Sequence, residues 1–319
     1  TMVGAAWVGP ILGAAIALCW VGLSQLTSIV ESEEKQLVFV VMWANGSSWI
    51  LLSLPYLRRK KANPEQAKPL LDGTPATLFP LSLVLRYFVL TILANLSFLA
   101  ALSFIPPSAG ASIVSLQPMV VLGMSRVLLS QVEVVSGRRW AARLAAAVLG
   151  FAGVVFLFRP WNMEGATAAD RVKGCLLVLA SVFAASTYQV FFKRRYGNAL
   201  DATMVALFLS QIGMLICLIY GSVMWTLIAT ARLPIQVAHI PWGWLLATAC
   251  CSAGFNFLLN FGTIVTSPFT VAMSRVLALP LNLFFDALVR EEKQIDSSMV
   301  TGVLLSFSGY LLFVLGEYL

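Results

Sequence analysis

Long, uninterrupted runs of apolar residues dominate the chain. Roughly ten such runs of about 20 residues follow one another, each long enough to cross a hydrocarbon core of about 30 Å as an α-helix. Hydrophobic residues make up 59% of the 319 residues and charged residues only 11%, against about a quarter in soluble domains. The alternating period of membrane β-strands is absent. The sequence therefore predicts an all-α integral membrane protein.

The apolar runs predict ten transmembrane helices with short connections between them. They lie at residues 6–29, 37–57, 81–104, 108–131, 141–158, 174–192, 201–229, 242–264, 267–289 and 298–316. Because these spans use about two thirds of the chain, little remains for a catalytic domain outside the membrane. The membrane bundle itself is expected to carry the function.

The residues that enzymes and metal sites require are scarce. His239 is the only histidine, which excludes a histidine-based metal cluster and a Ser-His-Asp hydrolase. The five cysteines lie inside apolar runs without a CxxC pair, and no P-loop is present. A dense acidic group, Glu31, Glu33 and Glu34, is interpreted as a solvated loop rather than the acid cluster of a membrane enzyme. We expect no enzyme activity, metal or cofactor.

The net charge of +7 is interpreted as an orientation signal and not as a nucleic-acid surface. Basic residues are concentrated in alternate loops on the side of the N-terminus, above all at Arg58, Arg59, Lys60 and Lys61, and Arg143 and Lys193 are assigned to the same loops. Since basic loops stay in the cytoplasm, both termini are predicted to be cytoplasmic. The basic connection at residues 58–80 is expected to contact anionic lipids. The choice between an endomembrane and the plasma membrane, and the oligomeric state, stay open.

Two pairs of prolines indicate an internal repeat. Pro106 and Pro268 are 162 residues apart, and so are Pro118 and Pro280. This register predicts a five-helix repeat at residues 1–160 and a second at 172–319, and an odd number of spans inverts the second copy. A competing register aligns the identical pentapeptides at residues 124–128 and 273–277, but it disturbs the helix and loop lengths. Inverted repeats are typical of transporters whose binding site lies near the membrane midplane.

Three arginines fall inside predicted spans. Arg86 and Arg126 lie near span ends, where their side chains can reach the interface. Arg275 lies near the midplane, where an unpaired charge costs about 3 kcal/mol or more. Asp286 is on the same helix and has its own candidate partner, Arg290. Arg275 therefore either creates a positive cavity that suits an anionic group or is satisfied by carbonyls and amides.

Polar and aromatic side chains inside the spans supply further candidates, too many for all of them to face lipid. They are Trp20, Asn45, Asn95, Gln117, Tyr188, Gln189, Gln211, Asn256, Asn260 and Asn282. The leading candidates for substrate contacts are Arg275, Asn256, Asn260 and Asn282, and the weaker ones are Gln117, Asn45 and Tyr188. Each of the polar groups can instead join helices by hydrogen bonds.

The ten spans, the inverted halves and the proline-bearing fourth and ninth spans resemble the drug/metabolite transporter superfamily. Within it, residues 180–290 are similar to solute carrier family 35, subfamily F, in its thiamine transporter branch. The resembling stretches are IPWG at 240–243, FNFLLNFG at 255–262, VTSP at 265–268, ALFLS at 206–210, Phe192, Lys193, Val276, Leu277, Pro280, Asn282 and Asp286. The resemblance implies a multi-pass carrier with thiamine as one substrate.

The sequence thus predicts a secondary transporter that moves a small polar organic solute by alternating access. Two substrate classes compete. The resemblance favours thiamine or a related organic cation, whereas Arg275 without a midplane carboxylate favours an anionic metabolite such as a nucleotide sugar or an organic acid. The alternatives from other classes are an integral-membrane enzyme, which would need a cluster of acids or histidines at one membrane face, and a channel or scaffold without a transport cycle.

Overall fold

The structure is a computed structural model that describes residues 2–33, 37–54, 79–105, 107–129, 136–158, 167–197, 200–233, 235–289 and 297–316. For residues 2–8, 28–33, 107, 108, 158, 239 and 283–289 it describes the backbone alone. Several sequence predictions fall outside these limits: residues 58–78 of the basic connection, Glu34, Pro106, and the pairing of Asp286 with Arg290. Glu31 and Glu33, interpreted from the sequence as part of a loop, instead belong to the last turn of a helix by their backbone.

The described residues are almost entirely helical, as the apolar runs predict. The helices are α1 (Met2–Glu33), α2 (Val38–Ser47), α3 (Leu81–Ala101), α4 (Pro107–Val114), α5 (Gln117–Leu128), α6 (Gly137–Phe158), α7 (Ala168–Tyr196), α8 (Ala202–Leu215), α9 (Gly221–Ala229), α10 (Trp242–Val265), α11 (Pro268–Val289) and α12 (Ser297–Gly316). A 3₁₀ helix (Ser48–Ser53) continues α2, and a π-helical turn (Ile216–Tyr220) joins α8 to α9.

Eight stretches of the described chain are long and apolar enough to cross a membrane. They coincide with eight of the ten predicted spans, which makes the chain a multi-pass membrane protein. The other two predicted spans also contain helices, a shorter apolar one at Val38–Ser53 and α11 at Pro268–Val289, but neither is among the eight. The count of ten spans and the inverted repeat stay predictions.

Local capping explains why some helices are longer than their apolar runs. Thr167 Oγ1 accepts a hydrogen bond from Asp170 N at 3.2 Å and starts α7 six residues before the predicted span at 174. The helix also continues past residue 192 to Tyr196 and ends at Gly197, whose φ of 53° favours glycine. Charged residues at both ends of α7 are therefore helical rather than part of loops.

The chain divides into two compact units. The first unit contains Thr1–Val21, Leu90–Ala199 and Gly262–Leu319, and the second contains Gly22–Val89 and Leu200–Phe261. Each unit takes segments from both halves of the sequence. The division into halves at 1–160 and 172–319 concerns the repeat and stays a prediction.

In the first unit, small residues let α6 and α12 approach each other closely. A Cβ on Gly309 would lie 2.7 Å from Gly150 N, and a Cβ on Gly302 would lie 2.7 Å from Gly153 O. Backbone therefore packs directly against backbone, an arrangement that small residues permit between membrane helices. Phe269 and Phe313, each at most 2% exposed, fill the core beside this contact.

In the second unit, α2 packs against α8 and α9. A Cβ on Gly213 would lie 3.0 Å from Gly46 O, so α8 and α2 are in backbone contact. The indole ring of Trp43 meets that of Trp225 edge to face, with 5.4 Å between the ring centroids. The hydroxyl of Tyr220, in the π-helical turn, donates to Phe39 O at 3.4 Å.

Candidate functional site

Arg275 lies on α11 in the first unit, and its guanidinium contacts two other helices. Nη1 donates a hydrogen bond to Gln117 Oε1 on α5 at 2.8 Å. Cζ lies 5.9 Å from the centroid of a Trp20 ring on α1, within the usual range of a cation–π contact. Gln117 and Trp20 are neutral, so these two contacts are a hydrogen bond and a cation–π contact rather than ion pairs.

Gln117 passes the hydrogen-bond chain on to a third helix. Its Nε2 donates to Gln189 Oε1 on α7 at 3.3 Å, and both glutamines are only 2% exposed. We call Arg275, Gln117 and Gln189 the amide relay. Its direction is fixed, because a guanidinium can only donate and Gln117 must present its oxygen to Arg275. The relay connects helices from both predicted halves of the chain.

A break in the fourth predicted span positions Gln117. Helix α4 ends at Val114, Ser115 and Leu116 form a turn, and α5 starts at Gln117 with Pro118 next to it. Because proline has no N–H, it fits the first turn of a helix but leaves a carbonyl of the preceding turn without its usual donor. The interruption thus places Gln117 at the start of a half-helix. Pro280, in contrast, lies inside the continuous α11.

Two other predicted site residues lie on the helices of the relay. Asn282 is seven residues after Arg275 on α11, which places both on one face of that helix. Tyr188 precedes Gln189 on α7 and is 8% exposed. Its ring stacks on Phe192 with 6.0 Å between the centroids. Tyr188 therefore packs in the core of the first unit.

The remaining predicted residues, Asn45, Asn256 and Asn260, form a polar ladder in the second unit. On α10, Asn260 Nδ2 donates to Asn256 O at 2.8 Å, and Asn256 Nδ2 donates to Ser252 O at 2.9 Å. Ser252 Oγ then donates to Asn45 O on α2 at 3.4 Å. Ser48 adds a second link between these helices by donating from Oγ to Ala249 O at 2.7 Å.

The ladder uses the amide nitrogens of its two α10 asparagines within the helix. The Nδ2 groups of Asn256 and Asn260 donate to backbone carbonyls four residues earlier. Asn45 Oδ1 is buried and has no hydrogen-bond partner. Asn45 therefore provides one buried acceptor in the second unit.

Two basic residues assigned to loops by the sequence analysis are instead buried in helices. Arg143 on α6 is 8% exposed, and its Cζ lies 5.6 Å from the centroid of the Phe269 ring. Lys193 on α7 is 5% exposed and donates from Nζ to Ile264 O and, at 3.0 Å, to Thr266 O. The loop assignment of Lys193 was wrong because α7 continues beyond the predicted end of its span at residue 192. That of Arg143 was wrong because a charge near the end of a span was taken for a loop residue, whereas Arg143 lies more than one turn inside α6.

Lys193 is expected to stabilise the turn between α10 and α11. Lys193→Met should lower the free energy of unfolding by about 2 kcal/mol, because charged hydrogen bonds to carbonyls are each worth about 1.5–3 kcal/mol. The apparent melting temperature of the detergent-purified protein measures the change. Lys173→Met is the matched control, since Lys173 is exposed and its Nζ lies 5.9 Å from the Phe104 ring centroid. Equal shifts for the two variants would show that the carbonyl contacts of Lys193 contribute nothing.

We also searched the part of the chain that the structure describes for groups of acidic and metal-binding side chains. There, no group of three or more histidine, cysteine, aspartate or glutamate side chains could hold a metal ion. The chemistry that the clusters offer is hydrogen bonding and charge, which suits recognition of a polar solute.

Two curated proteins match part of the chain. Human "Solute carrier family 35 member F3" is 30% identical over 185 residues, which are 58% of this chain and 42% of that protein. The mouse protein of the same name is 29% identical over 190 residues, with the same shares of both chains. The predicted resemblance to solute carrier family 35, subfamily F, is confirmed. The match spans less than half the length of either relative.

The fold has a counterpart among solved structures. One crystal structure aligns with a TM-score of 0.67 and covers 95% of this chain and 97% of its own. At 17% sequence identity, this likeness concerns the fold alone. No protein-family model matches the chain.

Proposed function

We propose that this chain is a secondary transporter that moves a small polar organic solute across a membrane by alternating access. The amide relay is the observation that carries the proposal. A half-buried arginine that donates to a neutral amide within a membrane bundle is costly, and such residues commonly mark substrate pathways. The similarity to two solute carriers and the eight apolar helices support a transporter rather than an enzyme.

Two substrate classes follow from different observations. The subfamily resemblance favours thiamine or a related organic cation. The position of Arg275 near the middle of an apolar span favours an anionic metabolite such as a nucleotide sugar or an organic acid. The buried and unpartnered Asn45 Oδ1 suits a donor group of a solute of either class.

A thermal-shift screen tests the proposal and separates the substrate classes. The detergent-purified protein is heated with thiamine, thiamine monophosphate, UDP-glucose or citrate, because a ligand that binds the folded state raises its stability. Compounds that bind are then followed as uptake into proteoliposomes. Stabilisation by thiamine alone would support the cation, and stabilisation by the anions alone would support the anionic metabolite. Uptake that rises linearly with concentration would indicate a channel and would contradict a carrier.

The proposed carrier lies in an endomembrane or in the plasma membrane. Both of its termini are on the cytoplasmic side. Basic loops on the N-terminal side support this orientation, and anionic lipids are the expected partners of these loops. Accessibility of engineered cysteines to an impermeant thiol reagent in sealed cells tests the orientation. Labelling of a terminal cysteine from the outside would contradict it.

The Asn45 side chain is expected to bind the solute rather than to stabilise the fold. Asn45→Leu removes a buried oxygen that has no partner, so stability should be kept or raised, whereas solute uptake should fall about tenfold through one lost hydrogen bond. Initial uptake rates and melting temperatures measure the two effects. The control is Asn95→Leu, because Asn95 is exposed and bonds only Thr91 O of its own helix, at 2.8 Å. Unchanged uptake by Asn45→Leu would remove Asn45 from the site.

A further inference from the structure

Two buried polar groups on α7 lie one helical turn apart without hydrogen-bond partners. Gln189 is 2% exposed and Ser186 is fully buried. Gln189 Nε2 and Ser186 Oγ have no partner in the structure. Residues three apart on a helix share a face, so both groups belong to one side of α7. A single unsatisfied buried group costs about 1–3 kcal/mol, and two neighbours on one face call for a ligand or a bound molecule.

The amide relay explains why Gln189 presents a donor there. Arg275 donates to Gln117 Oε1, so the Gln117 amide must point its Nε2 atom towards Gln189. The flipped orientation of the Gln117 amide would place a donor against the guanidinium. Gln189 must therefore accept this hydrogen bond with its Oε1 atom. Its Nε2 atom is then the last donor of the amide relay and has no acceptor within it. Flipping the Gln189 amide would set two N–H donors against each other. The charge on Arg275 therefore fixes the donor at Gln189.

We propose that Ser186 Oγ and Gln189 Nε2 form a recognition subsite that donates hydrogen bonds to an acceptor atom of the transported solute. The inference rests on the proposed transport function and adds a specificity-determining residue, Gln189, to the site. The acceptor is a carbonyl, hydroxyl, carboxylate or phosphate oxygen or an unprotonated ring nitrogen. Through Gln117, Gln189 is at the same time a positioning residue for Arg275.

Three substitutions separate recognition from positioning. Gln189→Glu keeps an oxygen acceptor for Gln117 but replaces the donor by a second acceptor of almost the same shape. Gln189→Leu removes both functions, and Ser186→Ala removes only the hydroxyl. The matched control is Asn95→Asp on α3, the same change of an amide to a carboxylate, since Asn95 is exposed and donates to Thr91 O of its own helix.

The measurement is the affinity of each variant for thiamine, thiamine monophosphate, UDP-glucose and citrate, taken from the ligand dependence of the melting temperature. For each probe that binds the unmodified protein, Ser186→Ala should weaken binding about fivefold, as expected for one neutral hydrogen bond. Gln189→Glu should weaken it about 50-fold or more, because two acceptors then face each other without a proton. Asn95→Asp should bind within a factor of about two of the unmodified protein, since Asn95 is exposed and no probe contact is expected there.

The outcomes distinguish the subsite from the transporter itself. If a probe binds and Gln189→Glu and Ser186→Ala bind it equally well, the two groups hold only a buried water, and the subsite is overturned while the transport proposal stands. If Gln189→Leu alone loses binding, Gln189 acts only by positioning Arg275, which also overturns the subsite. If none of the four probes binds the unmodified protein, both proposals fail together, because the four carry every acceptor oxygen that the subsite is expected to take.

Discussion

Arg275→Ala is expected to lower the uptake of an anionic solute by about two orders of magnitude, because it removes a charge-assisted hydrogen-bond donor worth about 1.5–3 kcal/mol. It also leaves Gln117 Oε1 without its donor and frees the amide relay to reorient. Arg275→Lys should retain part of the uptake, since it keeps the charge but loses the planar fork of donors. Initial uptake rates in proteoliposomes, scaled to the amount of folded protein, measure both effects.

The control for this prediction is Arg86→Ala. Arg86 is also an arginine within a predicted span, on α3, but it is exposed and no role in the relay is expected for it. Its replacement should change uptake less than about twofold, as is usual for exposed positions. If Arg275→Ala transports the identified solute normally, the arginine is a structural residue satisfied by amides, and the electrostatic argument for an anion fails. Loss of uptake of a cation would instead assign the relay to the conformational cycle.

The sequence was sufficient to recognise Arg275 as the unusual residue but not to find its partners. An arginine near the centre of an apolar span stands out from composition alone. Its contacts with Gln117 and Trp20 depend on how α1, α5 and α11 pack, and residues 117 and 275 are 158 positions apart. Only the polar character of Gln117, Gln189 and Trp20 inside apolar spans signalled them, and Asn95 shares that character although its side chain is exposed.

Lys193 and Arg143 illustrate a different limit of sequence reasoning. Hydropathy ends a span where charges begin, whereas helices end where capping and packing end them. Lys193 lies inside α7 because the backbone stays helical up to Tyr196. Its burial is tolerated because the carbonyls of Ile264 and Thr266 accept hydrogen bonds from its ammonium group. Counting the basic residues in each loop cannot detect such a buried residue, because its hydrogen-bond partners lie at the end of a different helix.

The contact between α6 and α12 yields the largest expected loss of stability. A Cβ on Gly153 would lie 2.6 Å from Ser306 N and 2.7 Å from Gly302 O. These are backbone atoms of the opposing helix, which cannot turn away as a side chain would. Gly153→Ala should therefore push the helices apart and lower the free energy of unfolding by about 3 kcal/mol, at the upper end of the usual cost of overpacking. The apparent melting temperature should fall by roughly 5–10 °C.

Gly123→Ala on α5 is the matched control, and the opposite sign is expected for it. Gly123 is exposed, and a Cβ there would meet nothing within 4 Å. Alanine is favoured over glycine inside a helix by about 0.8–1.0 kcal/mol, so this variant should be as stable as the unmodified protein or more so. Both variants carry the same added methyl group, and thermal unfolding in the same detergent compares them directly. If Gly153→Ala is stabilised as much as Gly123→Ala, the close approach of α6 and α12 is wrong.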